Sequence, residues 1–176
     1  VRNTAFFIAG LVLLLVQANT FRVLGWVHVP GLVPSLVLPL IIFMGVHEYS
    51  LARGAGVAFL LGYATDLVGV APVGLYTFTY VALFAMARAA SVRLAAQTTM
   101  MQVVLALGFT LVQDIMLLVL VAIFGGNPWV PRQLYPMILP HVLATAALAP
   151  LVFRGAEWLH NATSSGARMD AGGGRA

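Results

Sequence analysis

Six apolar runs, each about the length of a helix that crosses a bilayer, follow one another with only short breaks between them. They occupy residues about 5–24, 31–48, 53–70, 75–92, 98–124 and 134–154. A hydrocarbon core of about 30 Å takes roughly 20 residues of helix. In lipid every backbone N–H and C=O must also find a partner within the protein, which favours helices over open strands. The pattern therefore predicts an all-α polytopic membrane protein with six transmembrane helices.

Composition supports the same solvent. Hydrophobic residues make up 61% of the chain and charged residues 8%, against about 45–50% and about 25% in soluble domains. No stretch before residue 156 is polar enough to fold in water, so the spans form one domain over residues 1–155. From residue 156 the chain turns small, polar and Gly-rich (NATSSGARMDAGGGRA from Asn161 onward), and residues 156–176 read as a disordered cytoplasmic tail. Arg2 and the Val16-Gln17-Ala18 triplet give the first run some likeness to a signal peptide. Five further spans make a retained first helix the simpler reading.

The nine basic residues are all Arg and stand singly between apolar runs. That is a topology signal, not a stripe that tracks phosphates, and no nucleic-acid partner is expected. With the N-terminus inside, the inner segments hold Arg2, Arg53, Arg88, Arg93, Arg154, Arg168 and Arg175, and the outer ones hold Arg22 and Arg132. The bias puts both termini in the cytoplasm. Trp26 and Trp129 then mark the outer interface and Trp158 the inner one.

Polar residues inside apolar helices are costly and face protein or water. Gly54 to Tyr76, GAGVAFLLGYATDLVGVAPVGLY, carries Asp66 close to a helix end, with Gly62 one turn earlier. With the alternating topology, Gln17, Asp66, Tyr80, Gln113, Asp114 and His141 share the outer half of the bundle. They form either a hydrogen-bonded packing cluster, a pocket open to the outside, or a contact with a partner inside the membrane. Gly54, Gly56 and Gly62 allow close helix approach. Pro34 suits a first helical turn, and Pro39 is expected to kink the second span. Pro72 and Gly74 mark the turn between the third and fourth spans.

Nothing in the chain carries a catalytic signature. There is no Cys, no H-E-x-x-H, no G-x-S-x-G, no Walker motif and no G-x-G-x-x-G. His47-Glu48 lacks a second His at metal-binding spacing. No enzyme activity, metal or cofactor is expected.

Taken in order, these residues resemble the MreD family of bacterial rod-shape membrane proteins. A first apolar helix ends near Gln17, and Pro34-Ser-Leu-Val-Leu opens the second span. Gly56-Val-Ala-Phe-Leu-Leu-Gly-Tyr-Ala-Thr-Asp66-Leu is similar to the family's glycine-to-Asp-Leu helix. Pro72-Val-Gly74-Leu follows in the turn, and Gln113-Asp114-Ile resembles the acid of the family's fifth helix. The likeness covers about residues 5–155. The loop at Phe43-Met-Gly-Val-His-Glu-Tyr departs from it, and His141 has no counterpart in it.

The resemblance implies a non-catalytic scaffold of the elongation complex in the bacterial inner membrane. It would bind an MreC-like bitopic protein and, through it, a RodA-type SEDS glycosyltransferase, its partner transpeptidase and cytoplasmic MreB filaments, in support of lateral peptidoglycan synthesis and rod shape. The alternative comes from the likeness of such six-span folds to the substrate-capture S-components of energy-coupling-factor vitamin transporters. The small-residue pair Ala5-x-x-x-Ala9 resembles the motif by which those subunits dock their coupling protein.

Overall fold

The protein is described by a computed structural model over residues 2–24, 33–47, 50–69, 72–91, 99–124 and 130–172. These residues form six α-helices: α1 Arg2–Leu24, α2 Val37–Val46, α3 Leu51–Val68, α4 Leu75–Ser91, α5 Thr99–Phe124 and α6 Val130–Gly172. No strand occurs among them. Trp26, His47's neighbour Glu48, Arg93, Trp129 and Arg175 lie outside the described residues, as do the side chains of Arg2, Arg22, Arg132 and Arg168.

The helices are arranged as a ring around an axis. The axis is α2, VLPLIIFMGV, which is apolar all round and buried from Val37 through Gly45. It touches each of the other five helices, and those five close on one another in the order α1, α3, α4, α5, α6 and back to α1. A helix without a polar face is a core element, and here its solvent is protein on every side.

Individual contacts fix the directions. Gln17 of α1 meets Leu36 just before α2, while Phe6 stacks near Phe43 with centroids 6.1 Å apart, so α1 and α2 are antiparallel. Ser35 meets Thr145 and Phe43 meets Phe153, so α2 and α6 run the same way. A Cβ on Gly62 would abut Thr77 and one on Gly54 would abut Phe84, which makes α3 and α4 antiparallel. Asp114 with His141 and Gln102 with Glu157 do the same for α5 and α6. Gly45 against Ala87, with Ser35 beside Tyr80, aligns α2 with α4. Odd-numbered helices thus point one way and even-numbered helices the other.

Among the described residues, three helical segments are long and apolar enough to cross a membrane: Leu51–Val68, Met100–Phe124 and Pro136–Thr163. The ring turns large apolar side chains outward, among them Ile8, Leu15, Phe59, Phe78, Leu111, Leu139 and Leu143. A surface of this kind is solvated by lipid, and the chain is a membrane protein.

Three expectations from the sequence change here. The second apolar run is not helical along its length. Residues 33–36 are irregular and buried, apart from the half-buried Val33, and α2 has only 10 residues, about 15 Å at 1.5 Å per residue. Pro34 precedes this helix instead of opening it. Pro39 does not kink it, because it is the third helical residue, where the backbone N–H has no intrahelical acceptor to lose.

The irregular tail expected from residue 156 instead begins as helix, since α6 runs on to Gly172 despite Pro136, Pro140 and Pro150. The apolar spacing continues past Arg154: Phe153 and Ala156 are buried, Leu159 packs on the core, and the His160 ring lies 6.3 Å from that of Phe43.

Candidate functional site

Asp66 sits in the last turn of α3, and its residue is 2% exposed. It points at the first turn of α4. Its Oδ2 accepts from the Gly74 N–H (2.9 Å), the Thr77 N–H (3.1 Å) and the Thr77 hydroxyl (2.6 Å), and its Oδ1 accepts from the Tyr76 N–H (2.9 Å). The first N–H groups of a helix have no intrahelical partner and carry the positive end of its dipole. Asp66 therefore serves as an N-cap for α4, delivered from another helix. A carboxylate offers about four lone-pair sites; three of the four donors crowd onto Oδ2 and one meets Oδ1.

The turn that brings the donors round is built for this purpose. Leu75 N–H donates to the Pro72 carbonyl (3.3 Å), and Gly74 has φ +102°. A glycine at the third position of such a turn takes the left-handed backbone that other residues resist. Gly62, one turn before Asp66, lets α3 sit on the α4 backbone: a Cβ there would fall 2.5 Å from Thr77 Cα and 2.9 Å from Tyr76 O. Gly56 does nothing of the kind. It is exposed with no atom near its missing side chain, so its expected part in helix packing within the chain is corrected.

A second joint holds the irregular entry to α2. Such backbone is tolerated at membrane depth only where protein satisfies its polar groups. Gln17 Oε1 accepts from the Leu36 N–H (3.0 Å), and Thr145 Oγ1 accepts from the Ser35 N–H (3.0 Å). Thr145 carries no motif, Ser35 entered only within Pro34-Ser-Leu-Val-Leu, and neither was among the expected site residues. The available signal was that Thr145 lies four residues after His141, on the same face of α6.

A third joint links α5 to α6. His141 Nδ1 lies 3.0 Å from both carboxylate oxygens of the buried Asp114. With the Asp114 carboxylate as acceptor, His141 Nδ1–H is the donor that this contact calls for. Among the described residues, no group of three or more His, Asp or Glu side chains gathers to hold a metal.

The expected cluster is therefore divided. Asp114 and His141 bond directly, Asp66 and Gln17 each serve a backbone joint, and Asp66 and Asp114 both lie near Tyr76. Tyr80 is fully buried beside Ser35 and Thr65, with its ring edge-on to Tyr76 at 5.9 Å. Gln113 is also buried, but its Oε1 meets no donor within the protein. Ala5 and Ala9, the small pair on α1, are half-buried.

At the opposite end, the His47 ring stacks on Phe43 at 4.1 Å, and Gln102 Nε2 donates to Glu157 at 3.3 Å. Arg53 and Arg154 are exposed there. Compared with protein-family models, with curated proteins and with solved structures, the chain matches none of them.

Proposed function

We propose that this chain is a non-catalytic scaffold subunit of a bacterial elongation complex, MreD-like in role, which crosses the inner membrane six times with both termini in the cytoplasm. The observation that carries the scaffold reading is the engagement of five polar side chains of its interior. Asp66, Gln17, Thr145 and the Asp114–His141 pair are each occupied by a joint between helices. Polar groups committed in this way fix one helix arrangement, which is what a subunit that presents its outer faces to other membrane proteins requires.

The order of motifs along residues 5–155 supports the family assignment, and the grouping of Arg53, Arg88 and Arg154 at one end of the bundle supports the orientation. In this reading an MreC-like single-span protein packs against the lipid-facing ring. A RodA-type SEDS glycosyltransferase, its transpeptidase and MreB filaments are reached through it.

The test is depletion and complementation in a rod-shaped host. Loss of the chain is expected to round the cells and to slow sidewall peptidoglycan incorporation, and re-expression restores rods. A second arm places photocrosslinkers on exposed positions of each ring helix and expects adducts with a bitopic partner. Normal rods on depletion, together with lost uptake of a vitamin, would instead assign the chain to the energy-coupling-factor class.

A further inference from the structure

Two hydroxyls at the entry to α2 take no part in the joints above. Ser35 Oγ and Tyr80 Oη have no hydrogen-bond partner within the protein, although Ser35 is 2% exposed and Tyr80 is fully buried. They are neighbours. The hydroxyls of Ser35 and Thr65 flank the Tyr80 phenol, yet neither closes a hydrogen bond of sound geometry with it. Thr65 Oγ1 already donates to the Leu61 carbonyl at 2.8 Å, which leaves its lone pairs free to accept. The Ser35 and Leu36 N–H groups are engaged by α6 and α1, so the Ser35 side chain alone is turned toward α4.

A buried hydroxyl without a partner is costly, and here two stand side by side with a third acceptor at hand. Buried waters occur where two to four such groups converge. We propose that Ser35 Oγ, Tyr80 Oη and Thr65 Oγ1 form a binding site for one ordered water inside the bundle. The water accepts from the Tyr80 O–H and donates to Ser35 Oγ and Thr65 Oγ1. It joins the break before α2 to α4 and α3, and with Gln17 of α1 and Thr145 of α6 four of the five ring helices then hold that break. This inference is independent of the machinery that the chain serves.

The experiment is pulsed radiolysis of the purified chain in detergent micelles with H2-18O as solvent, read by mass spectrometry. Hydroxyl radicals born from a bound water oxidise the side chains that touch it. Rates are normalised to those of the unfolded chain, and Phe84, equally buried on the same helix, is the dry reference. Tyr80 is expected to label several-fold faster than Phe84, and Ser35→Val or Ser35→Ala to bring it down to the Phe84 level. Tyr80 as protected as Phe84 in the folded wild-type chain would mean a dry gap or a direct hydroxyl contact, and would overturn the site without any variant. Fast labelling that survives both substitutions would point to bulk water and overturn it equally.

Discussion

Asp66 holds Thr77 twice, by its backbone N–H at 3.1 Å and by its hydroxyl at 2.6 Å. Both bonds fall on one carboxylate oxygen, which also takes the Gly74 N–H. Asp66→Asn is nearly isosteric but exchanges an acceptor oxygen for an NH2 group that faces N–H donors. It is expected to lower the stability of the bundle by about 2–3 kcal/mol, since hydrogen bonds to charged groups are the strong ones and orphaned N–H groups add their own cost. Thr77→Val removes only the hydroxyl and should cost about 1 kcal/mol. Reversible SDS unfolding in mixed micelles reads both. An Asn variant as stable as the wild type would show that the cap contributes nothing.

Two of the three glycines of α3, Gly62 and Gly56, predict opposite outcomes. In Gly62→Ala the new methyl meets the Thr77 Cα and N at 2.5 and 2.9 Å, and backbone cannot swing aside as a side chain can. The α3–α4 pair must separate, which also lengthens the Asp66 bonds, and overpacking of this kind typically costs about 1–3 kcal/mol. In Gly56→Ala the methyl enters open space, so stability is unchanged or rises slightly with the better helix former. The ratio of folded to aggregated protein in fluorescence size-exclusion chromatography separates the two. Equal behaviour would remove the case for close approach at Gly62.

Sequence alone made the six helices legible, because apolar length is a strong signal, and it marked Asp66 and Gly62 because a carboxylate and a glycine one turn apart share a face. It did not reveal that Asp66 caps α4. Three of the four donors are backbone groups eight to eleven residues away, and backbone carries no side-chain signature. The shortness of α2 was hidden for a similar reason: no charged residue separates Val33 to Leu36 from the helix they precede, and Gln17 and Thr145, distant in sequence, make an irregular path there stable. Gly56 misled because glycine spacing does not say which face is turned to a neighbour. The helical start of the region after residue 155 was masked by its polar composition, although Ala156 and Leu159 continue the apolar stripe of α6.

The α2 entry should fail when either of its side-chain acceptors is removed. Gln17→Leu orphans the Leu36 N–H, and Thr145→Val orphans the Ser35 N–H, while both keep the volume close to native. Each is expected to cost about 1–3 kcal/mol. The double variant is expected to cost less than the sum, since one loosened end already lets the segment rehydrate. Cysteine placed at Val33, which is half-buried, gives a direct readout through its labelling by a small maleimide. Faster labelling in both single variants is the expected result, and unchanged labelling would show that the two side chains do not hold the segment.

The pair between α5 and α6 lends itself to a double-mutant cycle, because each partner has a neutral stand-in of similar size. Asp114→Asn keeps an acceptor oxygen for the Nδ1 proton of His141, and His141→Gln keeps a donor for Asp114. Each single variant should lose less than a truncation to Ala, which would leave a buried charge or donor uncompensated. The coupling between Asp114→Ala and His141→Ala is expected at about 0.5–2 kcal/mol, the range found for polar pairs inside membranes. It should exceed the coupling between Asp114→Ala and Gln17→Ala, whose side chains serve separate joints. SDS unfolding of the four proteins in each cycle supplies the numbers. Zero coupling within the Asp114–His141 cycle would mean that this pair adds nothing to the joint between α5 and α6.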